Sequence, residues 1–223
     1  MIKNLLQNYI KDYKITLTEN QYEQFQKYFE LLAEWNEKMN LTAITDESGV
    51  ALKHFADSLS LLNFVDIPQN SSIADVGTGA GFPGVVLKIA RPDIKLTLID
   101  SLNKRLVFLS EVCAQLGIEA ELIHSRAEDG ARDEKLRESF DFAVSRAVAR
   151  MNVLSEYCLP YVKVGGAFCA MKGAQANEEF KESLNAINTL GGKLENKYFF
   201  ELPENGGERA IAVVRKVKNT PLH

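Results

Sequence analysis

The chain has 223 residues, 46% of them hydrophobic and 25% charged, ordinary globular values that exclude intrinsic disorder, collagen-like repeats and coiled-coil arrays. Its length fits one large domain, or a domain with an appendage. Twenty-six basic residues against 30 acidic ones leave a net charge of −4, which argues against coating nucleic acid by bulk electrostatics but allows a local basic patch.

The opening MIKNLLQNYIKDY is broken by Lys3, Lys11 and Asp12, and no run of about 18 apolar residues follows. Neither a signal peptide nor a spanning helix is therefore expected, and the chain reads as cytoplasmic with no membrane role. Residues 1–70 read as a helical extension. Thr18 and Gln21 form a capping box, and Tyr22, Phe25, Phe29, Leu32 and Met39 make an apolar stripe over residues 18–40. A further helix is expected over 47–64, with Leu52, Phe55, Leu59 and Leu62 on one face. Such stripes pack on one another and on the main domain.

From residue 71 the period changes. The strand-like runs SIADV, KLTLID, AELIHS, FDFAVS and GAFCAMK alternate with the helical patterns PGVVLKIA, NKRLVFLSEVCAQLG and MNVLSEYCL. A helix over 178–190 ends at Gly191, and LENKYFFEL and AIAVVRKV form a hairpin across PENGGER. Residues 71–223 thus predict an α/β fold: a Rossmann-like, doubly wound, seven-stranded and mostly parallel sheet with an antiparallel edge hairpin. Cys113, Cys158 and Cys169 form no CxxC pair, and only His54, His124 and His223 accompany them. They are expected to be core thiols, with neither a disulfide framework nor a metal site. The run from Arg209 to Lys218 holds four cations and no acid, so any basic face is expected to draw on it.

The informative stretch is Asp75-Val-Gly-Thr-Gly-Ala-Gly-Phe-Pro-Gly84, where the first parallel strand should give way to its helix. Open α/β sheets bind ligands in this position. A phosphate loop would need Gly-Lys-Ser/Thr, which is absent, and the dinucleotide fingerprint would need a glycine where Phe82 stands. The acid two residues before Gly77 and Gly79, with Asp100 closing the second strand, suits an adenosine cofactor that has no pyrophosphate. Glycines admit the ligand to the backbone, and the Asp100 carboxylate can accept both ribose hydroxyls. Asp75 can hold the loop or meet an amino group through water, and Ser101 and Leu102 continue the Asp100 loop.

These residues resemble the class I S-adenosylmethionine-dependent methyltransferases. Together with Asn40-Leu-Thr-Ala-Ile-Thr-Asp46, His54-Phe-Ala-Asp-Ser58, Asp100-Ser-Leu-Asn-Lys-Arg105, Ser125-Arg-Ala-Glu128 and Ser145-Arg-Ala-Val-Ala-Arg150, they resemble one family within that class, ribosomal RNA small-subunit methyltransferase G, also called GidB. The resemblance runs over roughly residues 30 to 217. It implies methyl transfer from S-adenosylmethionine to N7 of one guanine in the 530 loop of 16S rRNA, and the partner expected is that RNA within the small ribosomal subunit or an assembly intermediate. It also implies cofactor contacts at Gly77, Phe82, Ala127, Glu128 and Arg146. Many relatives carry a basic tail beyond the equivalent of Lys216 to Pro221, where this chain ends Pro-Leu-His223, so weaker RNA affinity is expected.

The chemistry agrees with that implication. Methyl transfer from a sulfonium needs placement, and needs a base only if the nucleophile carries a proton. No Pro-Pro-Tyr loop for exocyclic amines follows the fourth strand, no cysteine is placed for attack on a pyrimidine, and Lys172 has no Asp partner near Ser145 for ribose chemistry. An unprotonated ring nitrogen remains, with no catalytic acid or base. Arg146 is expected to orient the cofactor carboxylate or the guanine O6, and His54 to stack on a base or bond to Asp57. Arg126, Arg150 and Lys172 fall on the same rim and form a small phosphate-gripping patch whose binding weakens with salt. A monomer is the default. A small-molecule methyltransferase and a non-catalytic nucleotide sensor stay open as alternatives.

Overall fold

The computed structural model describes residues 1–222; His223 lies outside them. The chain opens with α1 (Ile2–Tyr9) and α2 (Glu19–Met39). The Thr18 side chain accepts from Gln21 N while Gln21 accepts from Thr18 N, so the expected capping box is formed. Tyr22, Phe25 and Leu32 of the stripe are buried, and so are Tyr28 and Leu31, which lie outside it.

The helix expected over 47–64 is three segments: α3 (Glu47–Val50), a π-helical turn (Ala51–Ala56) and α4 (Asp57–Phe64). A π turn closes its hydrogen bonds one residue further along than an α-helix, and a six-residue π segment leaves no mark on sequence periodicity. Leu52, Phe55 and Leu59 nevertheless face inward as expected.

The sheet alternates with its helices in chain order: β1 (Ser72–Val76), α5 (Gly84–Ala90), β2 (Lys95–Asp100), α6 (Asn103–Leu116), β3 (Glu121–His124), α7 (Ala127–Gly130), β4 (Phe140–Arg146), α8 (Met151–Cys158), β5 (Val162–Gly173), α9 (Ala176–Glu182), α10 (Leu184–Thr189), β6 (Gly192–Glu201) and β7 (Glu208–Lys216). The strand order is β3-β2-β1-β4-β5-β7-β6. β1 to β5 pair in parallel, and β7 inserts antiparallel between β5 and the edge strand β6. Gly117, at φ +63°, ends α6 as expected. The helix expected over 178–190 is split at Ser183, whose hydroxyl bonds back to Phe180 O at 2.9 Å and competes with the helical ladder.

Successive strand residues point to opposite faces. Ile73, Leu98, Val144 and Cys169 pack under α2, α4, α5 and α6, whereas Ala74, Ile99, Ala143 and Phe168 pack against α8, α9 and α10. The amino-terminal helices belong to the first of these layers. All three cysteines are buried free thiols.

Three of the four carboxy-terminal cations are paired with acids. Arg209 pairs with Asp57, Arg215 with Glu195, and Lys216 is fully buried against Glu138. Lys216 also donates to Leu159 O, Val162 O and Thr220 Oγ1, which ties the terminal segment to the start of β5. Burial of an ammonium requires such saturation, so this part of the basic run is a structural staple.

Candidate functional site

A cleft of about 710 Å³ opens at the carboxyl ends of β1, β2 and β4. That size is typical of a cofactor site. Gly77, Gly79, Phe82, Asp100, Ser101, Leu102, Ala127, Glu128 and Arg146 line it, as do Arg126 and His54. Asp75, Arg150 and Lys172 do not.

The loop after β1 is fastened from below. Gly77 N and Thr78 N donate to Ile99 O at 2.9 and 3.1 Å, and Gly81 N to Thr78 O. Asp75 is buried beneath the loop, where its Oδ2 accepts from Thr78 Oγ1 and Gly84 N, each at 2.8 Å. Of the two roles expected for Asp75, these bonds supply the loop-holding one, and the residue is not part of the cleft lining. Burial pushes this carboxyl up to about 6, against the hydrogen bonds from Thr78 and Gly84. Asp75 Oδ1 has no hydrogen-bond partner among the described residues.

Gly79 has φ +59°, and a Cβ there would meet nothing within 4 Å. The loop thus presents bare backbone to the cleft. Asp100 closes the floor. It accepts from Gly79 N and Leu102 N, each at 2.9 Å, and pairs with Arg105 at 3.3 Å. Two carboxylate oxygens offer about four acceptor positions, of which the two backbone donors take two, so two hydroxyls can be received once Arg105 swings outward. An open glycine turn beside an acid at the end of β2 fits the adenosine half of S-adenosylmethionine.

Phe82 is 6% exposed, and it serves the core and the cleft together. His54 stacks on it with centroids 4.5 Å apart, Tyr28 at 5.5 Å, and the Arg146 guanidinium lies 5.1 Å from its ring centre. Tyr28 Oη also donates to Ala80 O. Arg146 Nη1 donates to Lys53 O at 2.9 Å and Asp57 Oδ2 at 3.0 Å, and Nη2 donates to His54 Nδ1 at 3.0 Å. An arginine can only donate, so His54 Nδ1 is the acceptor and its Nε2–H donates to Thr42 Oγ1 at 2.8 Å. His54 accordingly bonds Arg146 and Thr42, and not Asp57. Burial first, and then the Arg146 charge, lowers its proton affinity to about 3. It is neutral at physiological pH, with its lone pair engaged.

A second cleft of about 450 Å³ shares His54, Arg146 and Ala147 with the first. Lys172 belongs to this second cleft, where it donates to Ala149 O and pairs with Glu179 at 2.8 Å. Arg150 stands on the surface in an exposed pair with Glu182. Tyr28, Thr42 and Arg105 support these clefts without having been given a role from the sequence. Tyr28 lies three residues beyond Phe25 and seven beyond Gln21 on α2, so helical spacing alone would have found it.

The strand order and this cleft define a class I S-adenosylmethionine-dependent methyltransferase. A structure of a methyltransferase of that dependence from Aquifex aeolicus superposes with a TM-score of 0.53 at 16% identity, covering 71% of this chain and 89% of the other. An O-methyltransferase from Thermotoga maritima gives 0.56 at 16% identity, over 85% and 73%. The family model described as rRNA small subunit methyltransferase G matches residues 21–206. Relatives named ribosomal RNA small subunit methyltransferase G are 53% identical over 215 residues in Leuconostoc citreum, covering 95% of this chain and 90% of the relative, and 48% identical over 220 residues in Alkaliphilus metalliredigens, covering 98% and 92%. The chain belongs to this family.

Proposed function

We propose that the chain methylates N7 of a single guanine in the 530 loop of 16S rRNA, within the small ribosomal subunit or an assembly intermediate, and that it acts as a monomer. When bound, S-adenosylmethionine supplies an electrophilic methyl carbon on a sulfonium. Asp100 would accept the ribose hydroxyls, and the Gly77 to Gly79 backbone would admit the donor closely. Ser101, Leu102, Ala127 and Glu128 would border the adenine end, and Phe82 would pack on the donor from the side of the core. Arg146, with Nε and one Nη2 proton still free, would meet the donor's carboxylate or the guanine O6.

One observation carries the choice of acceptor atom. Where the two clefts meet, His54 has its lone pair engaged by Arg146 and Asp57 is neutralised by two guanidinium groups. Neither of these two groups is poised to remove a proton, and a lone-pair nitrogen such as guanine N7 needs none removed. Arg126, exposed at the mouth of the cleft, and Arg150, whose surface pair with Glu182 is weak, would touch RNA phosphates. Lys172 and His54 would face the nucleotide itself. No helix among the described residues is long and apolar enough to cross a membrane.

The test is a labelled-methyl assay on small subunits and on naked 16S rRNA, both from a strain that lacks the enzyme, with mapping of the labelled nucleotide. Label in 7-methylguanosine within the 530 loop supports the reading. Label at another atom, or none on either substrate, overturns it.

A further inference from the structure

The second cleft has a carboxylate with one oxygen that neither the fold nor the cofactor reading uses. Glu179 Oε2 accepts from Met151 N at 3.0 Å and pairs with Lys172 Nζ. Its Oε1 has no protein donor among the described residues. Burial alone would raise this carboxyl, but the hydrogen bond and charge of Lys172, with Met151 N–H and Arg150, outweigh burial and lower it. Glu179 therefore stays ionised at neutral pH, fixed on one oxygen and free on the other. Ile44, Met171, Phe200 and Ile211 supply the same cleft with apolar surface suited to a flat ring.

We infer, on the footing of the function proposed above, that the second cleft receives the extruded guanine and that Glu179 determines specificity by accepting from its N1–H and 2-amino group. Guanine offers two adjacent donors on that edge, and Oε1 has two lone pairs to meet them. Adenine offers an acceptor at N1 and no donor at C2, so the same carboxylate repels it. N7 lies across the purine from N1. Anchoring the far edge at Glu179 turns N7 back toward the part of the cleft bounded by His54, Arg146 and Ala147, which opens on the donor site. Enzymes that act on a base commonly hold it out of the stack and read it on this edge.

The experiment compares small subunits assembled on 16S rRNA carrying guanosine or inosine at the mapped target position, for the wild-type protein, Glu179→Gln and Glu179→Ala. Inosine lacks only the 2-amino group. The wild type is expected to favour guanosine by about 10-fold or more in kcat/KM, and both variants to lose most of that preference while keeping wild-type affinity for S-adenosylmethionine, which reports folding. A wild-type protein that methylates both RNAs equally overturns the assignment without recourse to any variant. So does an unchanged ratio in either variant that retains donor affinity. If the wild type leaves no 7-methylguanosine even in the subunits carrying guanosine, the function proposed above is what fails.

Discussion

Asp75 is buried and His54 half-buried beside the donor cleft, yet their proton affinities move in opposite senses. Asp75 rises from 3.8 to about 6, so between those values the folded chain holds a proton that the unfolded chain releases, and stability falls as pH rises. His54 drops from 6.5 to about 3, so over that interval the unfolded chain holds the proton, and stability rises with pH. Each contribution is on the order of 3 to 5 kcal/mol at its full extent, and each has a slope of about 1.4 kcal/mol per pH unit where it acts. From about pH 4 to 6 they cancel. Urea unfolding across this window should therefore separate them by substitution. Asp75→Asn should steepen the rise of stability with pH relative to wild type, and His54→Gln should convert it toward a fall. Variant profiles that run parallel to the wild type would show that neither group is perturbed in the folded chain.

At the scale of the element, the turn from β1 to α5 divides its glycines between two duties. Gly79 faces open space, whereas a Cβ on Gly81, at φ +99°, would collide with Tyr28 Oη and approach Val85 Cγ2 to 2.8 Å and Leu109 Cδ2 to 2.9 Å. Gly79→Val should consequently cost only about 1–2 kcal/mol of stability, from left-handed backbone, while abolishing donor binding. Gly81→Ala should lower the melting temperature sharply, because a tightly packed core yields little. Melting curves with calorimetry on both variants check this; equal thermal losses would refute the division. The turn itself was readable in the sequence because glycine spacing and a flanking acid are local signals. The alternating strands were equally plain, since each run carries its own period. The π turn at Ala51–Ala56 was not readable, because its hydrogen bonds shift by one residue without altering which side chains are apolar. Nor was the fate of the run from Arg209 to Lys218, since its partners Asp57, Glu138 and Glu195 are distant in sequence and ion pairing has no periodic signature.

The whole molecule shows where the division at residue 70 does and does not lie. The sequence pattern changes there, but the core does not. Phe25, Tyr28, Leu32, Phe55 and Leu59 are buried in the same cluster as Val85, Leu106 and Leu109 of the sheet's helices. Trp35 packs on Phe108 at 5.7 Å, and Phe64 on Tyr198 and Phe200. Gln21 Nε2 donates to Ile89 O, and Gln24 Nε2 to Leu116 O. Each large apolar side chain removed from such a layer forfeits about 1.5–3 kcal/mol, so the five named residues alone rival the 5–15 kcal/mol that stabilises a typical domain. We therefore propose that residues 1–70 are an integral layer of the methyltransferase and not a detachable module, although residues 71–223 carry the donor-binding loops. The intact chain should unfold in one transition by circular dichroism and by tryptophan fluorescence, the sole Trp35 reporting from α2. A fragment of residues 71–223 should bind hydrophobic dye and melt without cooperativity, since the faces of α5 and α6 would lie bare. Cooperative melting of that fragment, with retained affinity for S-adenosylmethionine, would make the helices an accessory and leave Asp57 and His54 dispensable to the architecture of the cleft.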